Sequence, residues 1–394
     1  MTEKRVKERL LTPQFAAVFV ILFAANYGLY ILNAMVPLYV ASVGGSTTGS
    51  GVLNTCFTVC ACAARISGGN LADRIGKRRV ILLGGALLSV GLLAYLTVES
   101  FLLLMLFRGV QGLGFAAMSV GASAAVVDIL PPSRLGEGIG ISALAATLSG
   151  CIAPTVGVAV EERFGYGAVF GSTAAAVLVG LAVTVLFLHY EKNAKPAEKR
   201  KVPKEVRESF LWRIFERCAV LPAVLYCLFL IGSSMTYVFM TLYGVSRGFS
   251  WPGGFFLTAA AAQVFARVAA GRFADRGKGT GVVLFGCGVS VLTYLGLALF
   301  PNEGVYLLCG ALFGLGQGLV SPVMNRLAVM HAAAERRGAA TATYYLAADV
   351  GNGIGGMLWG VIIDGTSYGS SFLVVAVWIA VSAVLTGFCL RRMR

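Results

Sequence analysis

Long apolar runs separated by short polar segments follow one another along the whole chain of 394 residues. The runs are close to the ~20 residues that an α-helix needs to span ~30 Å of hydrocarbon. They are continuous, whereas the strands of a membrane β-barrel alternate apolar and polar residues. The pattern therefore predicts membrane-spanning helices at about 15–41, 51–71, 80–98, 101–127, 138–160, 168–189, 218–243, 253–273, 281–300, 305–329, 339–363 and 371–390.

A polar stretch divides these runs into six and six. We predict an all-α integral membrane protein of twelve transmembrane helices in two pseudo-symmetric six-helix bundles. The N-terminal bundle covers 1–189, a cytoplasmic linker covers 190–217, and the C-terminal bundle covers 218–394. The linker carries both signs of charge. Its second half either forms a helix on the inner membrane face, anchored by residues such as Trp212, or is a plain tether.

An internal repeat links the two halves. Residues 64–74 read ARISGGNLADR and residues 266–276 read ARVAAGRFADR, so six of eleven positions are identical at an offset of 202 residues. The identical positions include Arg65 with Arg267 and Asp73 with Asp275. Repeats of this kind flank the substrate path of membrane transporters, so we expect a central site between two similar halves.

Composition and charge placement support a membrane protein. The chain is 57% hydrophobic and only 13% charged, against about 25% charged residues in soluble domains. Most of the 32 Lys and Arg residues fall on one side of the predicted topology, and only Arg163 and Arg247 fall in outer segments. The positive-inside rule then puts both termini and the linker in the cytoplasm of a multi-pass inner-membrane protein. The net charge of +14 therefore does not indicate a nucleic-acid partner.

Other functional classes find little support in the sequence. Nine cysteines, an odd number, lie in or beside apolar segments, and two histidines are too few for a metal site. The sequence has no phosphate-binding loop of the kind that holds nucleotides. It also has no recognisable catalytic nucleophile with a general base. The first apolar run is too long for a signal peptide, and we expect it to be retained. We expect no enzyme activity, no metal and no cofactor, with the proton gradient as the energy source.

Three motifs carry a family resemblance. Residues 69–79, GNLADRIGKRR, resemble the loop signature between helices 2 and 3 of the major facilitator superfamily. Residues 106–117, LFRGVQGLGFAA, resemble the helix 4 motif of its proton-coupled exporters. Residues 150–157, GCIAPTVG, resemble the antiporter motif of helix 5 through Gly150, Pro154 and Gly157, although Ala153 and Val158 replace usual glycines. The resemblance implies the twelve-helix drug:proton antiporter group.

The loop signature implies a conformational latch at the inner face. An acid at the inner end of the second helix is favoured beside the positive N-terminus of another helix, and the resemblance points to the eleventh, near Gly338. Such a latch would hold the outward-open state. The alternative is that the basic run only sets topology. The latch residues are Gly69, Asp73, Arg74, Gly76, Arg78 and, in the second half, Asp275 and Arg276.

Charged residues within the predicted helices suggest a proton-coupling path. Arg65 lies eight residues before Asp73, about 12 Å deeper along the helix, and needs a partner there. Asp349 is at comparable depth on the eleventh helix and is the best partner, unless Arg65 snorkels to the interface. Asp349 is also the leading proton carrier, ahead of Asp128 and Glu137, unless it is locked to Arg65. The resemblance gives Arg108 a part in proton coupling.

Polar and aromatic residues at helical spacing predict the lining of a substrate cavity. Any one of them could instead serve packing between helices. The predicted lining residues are Asn26, Tyr30, Asn33, Arg108, Gln111, Met118, Tyr226, Ser233, Tyr237, Met240, Gln317, Asn325, Tyr345 and Asn352.

The sequence favours a secondary active exporter that works by alternating access and exchanges a small organic molecule for protons. A proton-coupled importer of a metabolite is the first alternative, favoured by the altered helix 5 motif. A non-transporting sensor or a lipid-moving protein is an alternative of another class. The expected partners are the small-molecule substrate, protons and the lipid bilayer, and we expect a monomer.

Overall fold

The computed structural model describes residues 12–97, 100–130, 134–188, 215–275, 279–333 and 336–392. Within these residues it is built from eleven helices. Their bounds are α1 Pro13–Ser42, α2 Thr47–Ile75, α3 Lys77–Ala94, α4 Phe101–Ile129, α5 Leu135–Phe187, α6 Arg217–Ser246, α7 Gly254–Asp275, α8 Gly279–Leu299, α9 Glu303–Val329, α10 Arg337–Gly365 and α11 Tyr368–Arg392. Each helix covers one predicted apolar run, except that α5 covers the fifth and sixth runs.

The length of α5 shows that it cannot be a single membrane span. Its 53 residues would extend about 80 Å, more than twice the thickness of the hydrocarbon. Gly165 interrupts it with a φ of 75° and a ψ of 174°, a backbone conformation that suits glycine. Eight of the described helices are long and apolar enough to cross a membrane. The protein is therefore a multi-pass membrane protein, and the count of twelve spans stays a prediction.

Side-chain caps fix where several helices begin. Thr12 accepts a hydrogen bond from the backbone N–H of Phe15 at 3.2 Å, and Pro13 follows as the first residue of α1. Ser46 caps α2 in the same way through Gly49, and Asn302 caps α9. These residue types supply the acceptor that the free N–H groups of a first helical turn need.

The repeat seen in the sequence is also a repeat in packing. Gly112 of α4 lies so close to the Phe57 carbonyl of α2 that no side chain fits, and Gly314 of α9 lies equally close to the Ala259 carbonyl of α7. Gly314 lies 202 residues after Gly112, and Ala259 lies 202 residues after Phe57, so the two contacts are related by the repeat offset. A Cβ on Gly84 would likewise lie 2.7 Å from the Gly114 oxygen. Glycine at these positions lets the helices approach closely.

Three helix pairs join the N-terminal half, α1 to α5, to the C-terminal half, α6 to α11. They are α2 with α10, α1 with α6, and α5 with α7. The pair α2 with α10 makes the most extensive of these contacts. These contacts mark where the two halves meet in the described residues.

Candidate functional site

Asp364 joins the two halves at the face that the sequence predicts to be outer. One carboxylate oxygen accepts the backbone N–H of Thr47 at 3.1 Å, and the other accepts that of Thr48 at 2.7 Å. The Thr47 hydroxyl contacts the same carboxylate. An acid at the end of α10 thus caps the N-terminus of α2, where a negative charge is favoured. We call this contact the outer latch.

Small and polar residues continue the contact between α2 and α10 toward the middle of the membrane. Asn54 donates to the Asn352 carbonyl at 3.2 Å, and Thr55 donates to the Gly353 carbonyl at 2.8 Å. Gly51 lies against the backbone of Gly356 with no room for a side chain. The two helices are therefore in direct backbone contact along this half of their length.

Arg65 and Asp349 form an ion pair between the same two helices, as the sequence predicts. The Arg65 Nε atom lies 2.5 Å from an Asp349 carboxylate oxygen, and each side chain is 23% exposed. The Arg65 guanidinium also lies over the Phe115 ring, 5.6 Å from its centroid. The pairing is confirmed, whereas its part in proton coupling stays a prediction.

Arg108 lies inside the N-terminal half rather than in an open cavity. It is 1% exposed and donates to Asn33 at 3.0 Å and to Gln111 at 3.2 Å. Its guanidinium also lies 4.6 Å from the centroid of the Phe57 ring. Within the described part of the chain its hydrogen-bond partners are neutral. Gln111 is also buried and donates to the Gly91 carbonyl of α3 at 2.8 Å.

Arg108, Gln111 and Met118 are thus buried in this conformation, and their place in a cavity stays a prediction. Arg108 and Gln111 make their hydrogen bonds within the N-terminal half, although the Arg108 Nε atom has no partner among the described residues. Met118 is fully buried, and its terminal methyl group packs near Gly180 of α5. Met240 is also buried, and Asn26 donates back to the Leu22 carbonyl of its own helix.

Arg267, the repeat counterpart of Arg65, makes a different contact. It donates from α7 to the Thr147 hydroxyl of α5 at 2.8 Å, across the two halves. Gly150, one turn along α5 from Thr147, lies against the Tyr30 ring, so Tyr30 is near this contact. The repeat identified Arg267 as the counterpart of Arg65, but it did not indicate a contact with Thr147 across the two halves.

Tyr226 and Tyr345, both predicted to line the cavity, are joined through Tyr344 within the C-terminal half. The Tyr226 ring stacks on Tyr344 of α10, with centroids 4.6 Å apart, and Tyr344 contacts Tyr345 edge to face. Tyr345 is 47% exposed. The sequence reasoning chose Tyr345 of this pair and missed its neighbour Tyr344, which stacks on Tyr226.

Besides Arg108, whose Nε atom is also unpaired, four predicted cavity residues carry buried polar atoms that lack a hydrogen-bond partner among the described residues. Ser233 of α6 is fully buried, and Gln317 of α9 is 2% exposed. Unpaired buried polar atoms are costly and need an explanation. The atoms are the Ser233 hydroxyl, the Gln317 amide nitrogen and the side-chain oxygens of Asn325 and Asn352.

The predicted inner latch is described only in part. Gly76 has a φ of 93° and forms the turn between α2 and α3. Arg74 is exposed, and Arg78 donates to the Val185 carbonyl at the end of α5, at 3.0 Å. The side chains of Asp73, Glu137, Asp275 and Arg276, and the surroundings of Gly69, lie outside the described residues.

Asp128 has a local partner. It pairs with Lys77 where α4 ends and α3 begins, both in the N-terminal half. This ion pair explains an acid at that position without a proton path. The start of α10 at Arg337 agrees with the beginning predicted near Gly338.

The helix 5 motif packs α5 against α1. A Cβ on Gly150 would lie 3.4 Å from the Tyr30 ring, and one on Gly157 would lie 2.8 Å from the Met35 sulfur. Pro154 lies inside α5. All nine cysteines are free, and the described residues contain no group of side chains suited to a metal ion.

A family model described as the Major Facilitator Superfamily matches residues 18–307 and 259–394. Among curated proteins, the staphylopine export protein of Staphylococcus aureus (strain Mu50 / ATCC 700699) is 24% identical over 379 residues, 92% of either chain. The quinolone resistance protein NorA of Staphylococcus aureus (strain MRSA252) is 21% identical over 215 residues. That second match spans 55% of either chain, about half the length of NorA.

Solved structures share the fold. A transporter of the POT family in complex with a thioalcohol-conjugated peptide superposes with a TM-score of 0.79, at 17% identity and 96% coverage of both chains. The nucleoside transporter NupG superposes with a TM-score of 0.77, at 11% identity, over 95% of this chain and 98% of its own. At such identities the likeness establishes the architecture alone.

Proposed function

The chain belongs to the major facilitator superfamily, and we propose that it is a secondary active exporter that exchanges a small organic molecule for protons. The observation that carries this proposal is the Arg65 and Asp349 ion pair, which places a titratable carboxylate between the two halves. Ionisable residues at such depth typically mark proton relays or substrate paths. Two relatives, the staphylopine export protein and NorA, are named for export and drug resistance.

Alternating access follows from the ends of α2 and α10. In this structure Asp364 at the end of α10 caps the start of α2, so the halves are joined at the predicted outer face. The predicted inner latch uses the opposite ends, with Asp73 near the end of α2 facing the start of α10. At the outer face α10 would cap α2, and at the inner face α2 would cap α10. Only one of the two caps would form at a time. Rocking of the halves exchanges one latch for the other.

The ion pair supplies the coupling step. An Asp349 carboxylate paired with Arg65 is the deprotonated form, and here it accompanies a closed outer face. When the site opens outward, a proton taken up by Asp349 neutralises the carboxylate and weakens its hold on Arg65. On return to the inner side, Arg65 favours the carboxylate again and the proton leaves to the cytoplasm. Substrate binds inside in the deprotonated state and leaves outside in the protonated state.

The same proposal covers location and partners. We place the protein in the inner membrane with both termini and the linker in the cytoplasm, as the distribution of Lys and Arg indicates. The lipid bilayer, protons and a small molecule are its partners, and two halves suffice as a monomer. The proton gradient replaces a bound cofactor as the source of energy.

Import is the second candidate function. Ala153 and Val158 of α5 stand where antiporter motifs usually have glycine, and both side chains are buried in the bundle. A proton-coupled importer needs no such motif.

Dye efflux from cells tests the proposal. Bacteria that lack their main efflux pumps would be loaded with cationic, neutral and anionic fluorescent dyes, then energised with or without the chain. We expect efflux of part of the panel, abolished by a protonophore and lowered at least 10-fold by Asp349→Asn. The control Glu162→Gln changes an exposed acid of α5 and should leave efflux within twofold of wild type. Protonophore-insensitive efflux, or an equal effect of both variants, contradicts the coupling mechanism.

A further inference from the structure

We propose that Arg267 binds a carboxylate group of the transported molecule, and that the surrounding tyrosines hold its aromatic or apolar part. This inference rests on the proposed transport function and adds a substrate class to it: small amphipathic organic acids. Arg267 lies where α7 meets α5, at one of the contacts that join the two halves.

The first argument is the missing counter-charge. Arg65 has Asp349, but the hydrogen bond that Arg267 makes within the described residues goes to the neutral Thr147 hydroxyl. The Tyr30 ring lies one turn further along the same face of α5, since a Cβ on Gly150 would be 3.4 Å from it. A guanidinium within a membrane needs a partner, and a substrate anion can supply it.

The second argument is an unpartnered donor beside the same point. Gln317 is 2% exposed, and its amide nitrogen finds no acceptor among the described residues. The next residue, Gly318, lies where α9 meets α7, since a Cβ on it would be 2.6 Å from that of Ala266. Gln317 and Arg267 thus flank one close helix contact.

The direction of Gln317 follows from its neighbours on α9. Phe313, one turn before, packs edge to face on Tyr237 with centroids 5.4 Å apart. One turn after Gln317, the Ser321 carbonyl accepts a hydrogen bond of 2.9 Å from the Tyr344 hydroxyl. Residues four apart share a helix face, so Gln317 faces the tyrosines of α6 and α10. Its free amide group therefore lies toward α6 and α10, two of the helices that contact the N-terminal half.

The donors in this cluster share one chemical preference. A guanidinium and an amide N–H₂ offer only hydrogens, and a guanidinium matches a carboxylate through two parallel hydrogen bonds. The fully buried Ser233 hydroxyl, also without a partner among described residues, lies on α6 one turn before Tyr237. The tyrosine rings add flat apolar surface for an aromatic body. An amphipathic acid satisfies both parts.

The probes that test the proposal are matched pairs: 2-naphthoate with 2-naphthamide, and 4-phenylbutyrate with 4-phenylbutanamide. Each would be titrated against the purified full chain, with binding read from intrinsic fluorescence and thermal unfolding. We expect each acid to bind at least 10-fold more tightly than its amide. Arg267→Gln should weaken acid binding about 10- to 100-fold, the range for losing a charge-assisted pair. The acid affinity of Arg267→Lys should lie between those of the wild type and Arg267→Gln, because lysine keeps the charge but cannot form two parallel hydrogen bonds.

The control Arg163→Gln removes an exposed Arg of α5 and should leave the acid preference intact. Equal binding of acids and amides by the wild type, which needs no variant, overturns the proposal. So does tight acid binding that Arg267→Gln leaves unchanged. Proton-dependent export of cationic dyes without acid binding leaves the transport function standing and overturns only the carboxylate site. Arg267-dependent acid binding without any transport supports the site and contradicts the function.

Discussion

At the scale of single residues, two arginines with the same place in the repeat have different surroundings. Arg65 meets the carboxylate of Asp349 across the halves, whereas Arg267 meets the hydroxyl of Thr147. A buried charge without a partner is strongly unfavourable, whereas a complete pair is nearly neutral in energy. The first arginine is therefore suited to a switch, and the second to a ligand.

A double-mutant cycle measures the Arg65 and Asp349 pair. Asp349→Asn and Arg65→Gln should each destabilise the protein, since each leaves a half-buried polar partner unpaired. The double variant should lose less unfolding free energy than the two single variants lose together, with a coupling energy of about 1–3 kcal/mol. Unfolding of the purified chain, followed by fluorescence, gives the four stabilities.

The Lys77 and Asp128 pair is the matched control for this cycle, because it joins α3 and α4 within one half. Its Asp128 side chain is 38% exposed, so the coupling from Lys77→Gln and Asp128→Asn should stay below about 1 kcal/mol. A coupling for Arg65 and Asp349 no larger than this control would remove the ion pair as the element that joins the halves.

At the scale of helices, α2 and α10 form the contact that conformational exchange must break. Their contact begins at the outer latch, continues through glycines and reaches the Arg65 and Asp349 pair. Glycines let the two helices touch without interlocking side chains. Such a contact can separate and close again at low cost.

Removing the outer latch should loosen the predicted outer face. Asp364→Asn keeps one acceptor but loses the charge that favours the α2 N-terminus, so we expect a 2- to 5-fold faster amide exchange in residues 47–52. Hydrogen exchange with mass spectrometry measures this. Glu303→Gln is the control, because Glu303 caps Trp251 within the C-terminal half at 2.8 Å. Its effect should stay near residues 250–254, and unchanged exchange at 47–52 in Asp364→Asn would count against the latch.

A side chain at Gly51 should hold the halves apart. Gly51→Leu meets the backbone of Gly356, so we expect transport to fall more than 10-fold while the protein still folds as a monodisperse species. Gly288→Leu is the control, since a Cβ at Gly288 of α8 meets no atom within 4 Å. Proteoliposome transport rates compare the two. Similar rates for both variants would show that this close contact is not needed for turnover.

At the scale of the whole molecule, the sequence predicted the features that depend on hydrophobic periodicity and on the internal duplication. Helix positions followed from apolar runs, and the contact of Gly112 with Phe57 recurs at the repeat offset as Gly314 with Ala259. The Arg65 and Asp349 pair followed from depth in the membrane. Helical spacing did not indicate that Arg108 and Gln111 of α4 would be buried within one half and hydrogen-bonded to each other. The outer latch was not predicted, because it depends on how two distant helix ends meet.

The sign of coupling between substrate and protons is the central claim of this account. The purified chain in proteoliposomes would be given pH gradients of either polarity, and uptake of the exported dyes would be followed against empty liposomes. An exchanger accumulates substrate only when the lumen is the more acidic side, whatever the orientation of the protein in the bilayer, because protons leave as substrate enters. Accumulation in an alkaline lumen, with substrate and protons moving together, would contradict export by exchange and establish import.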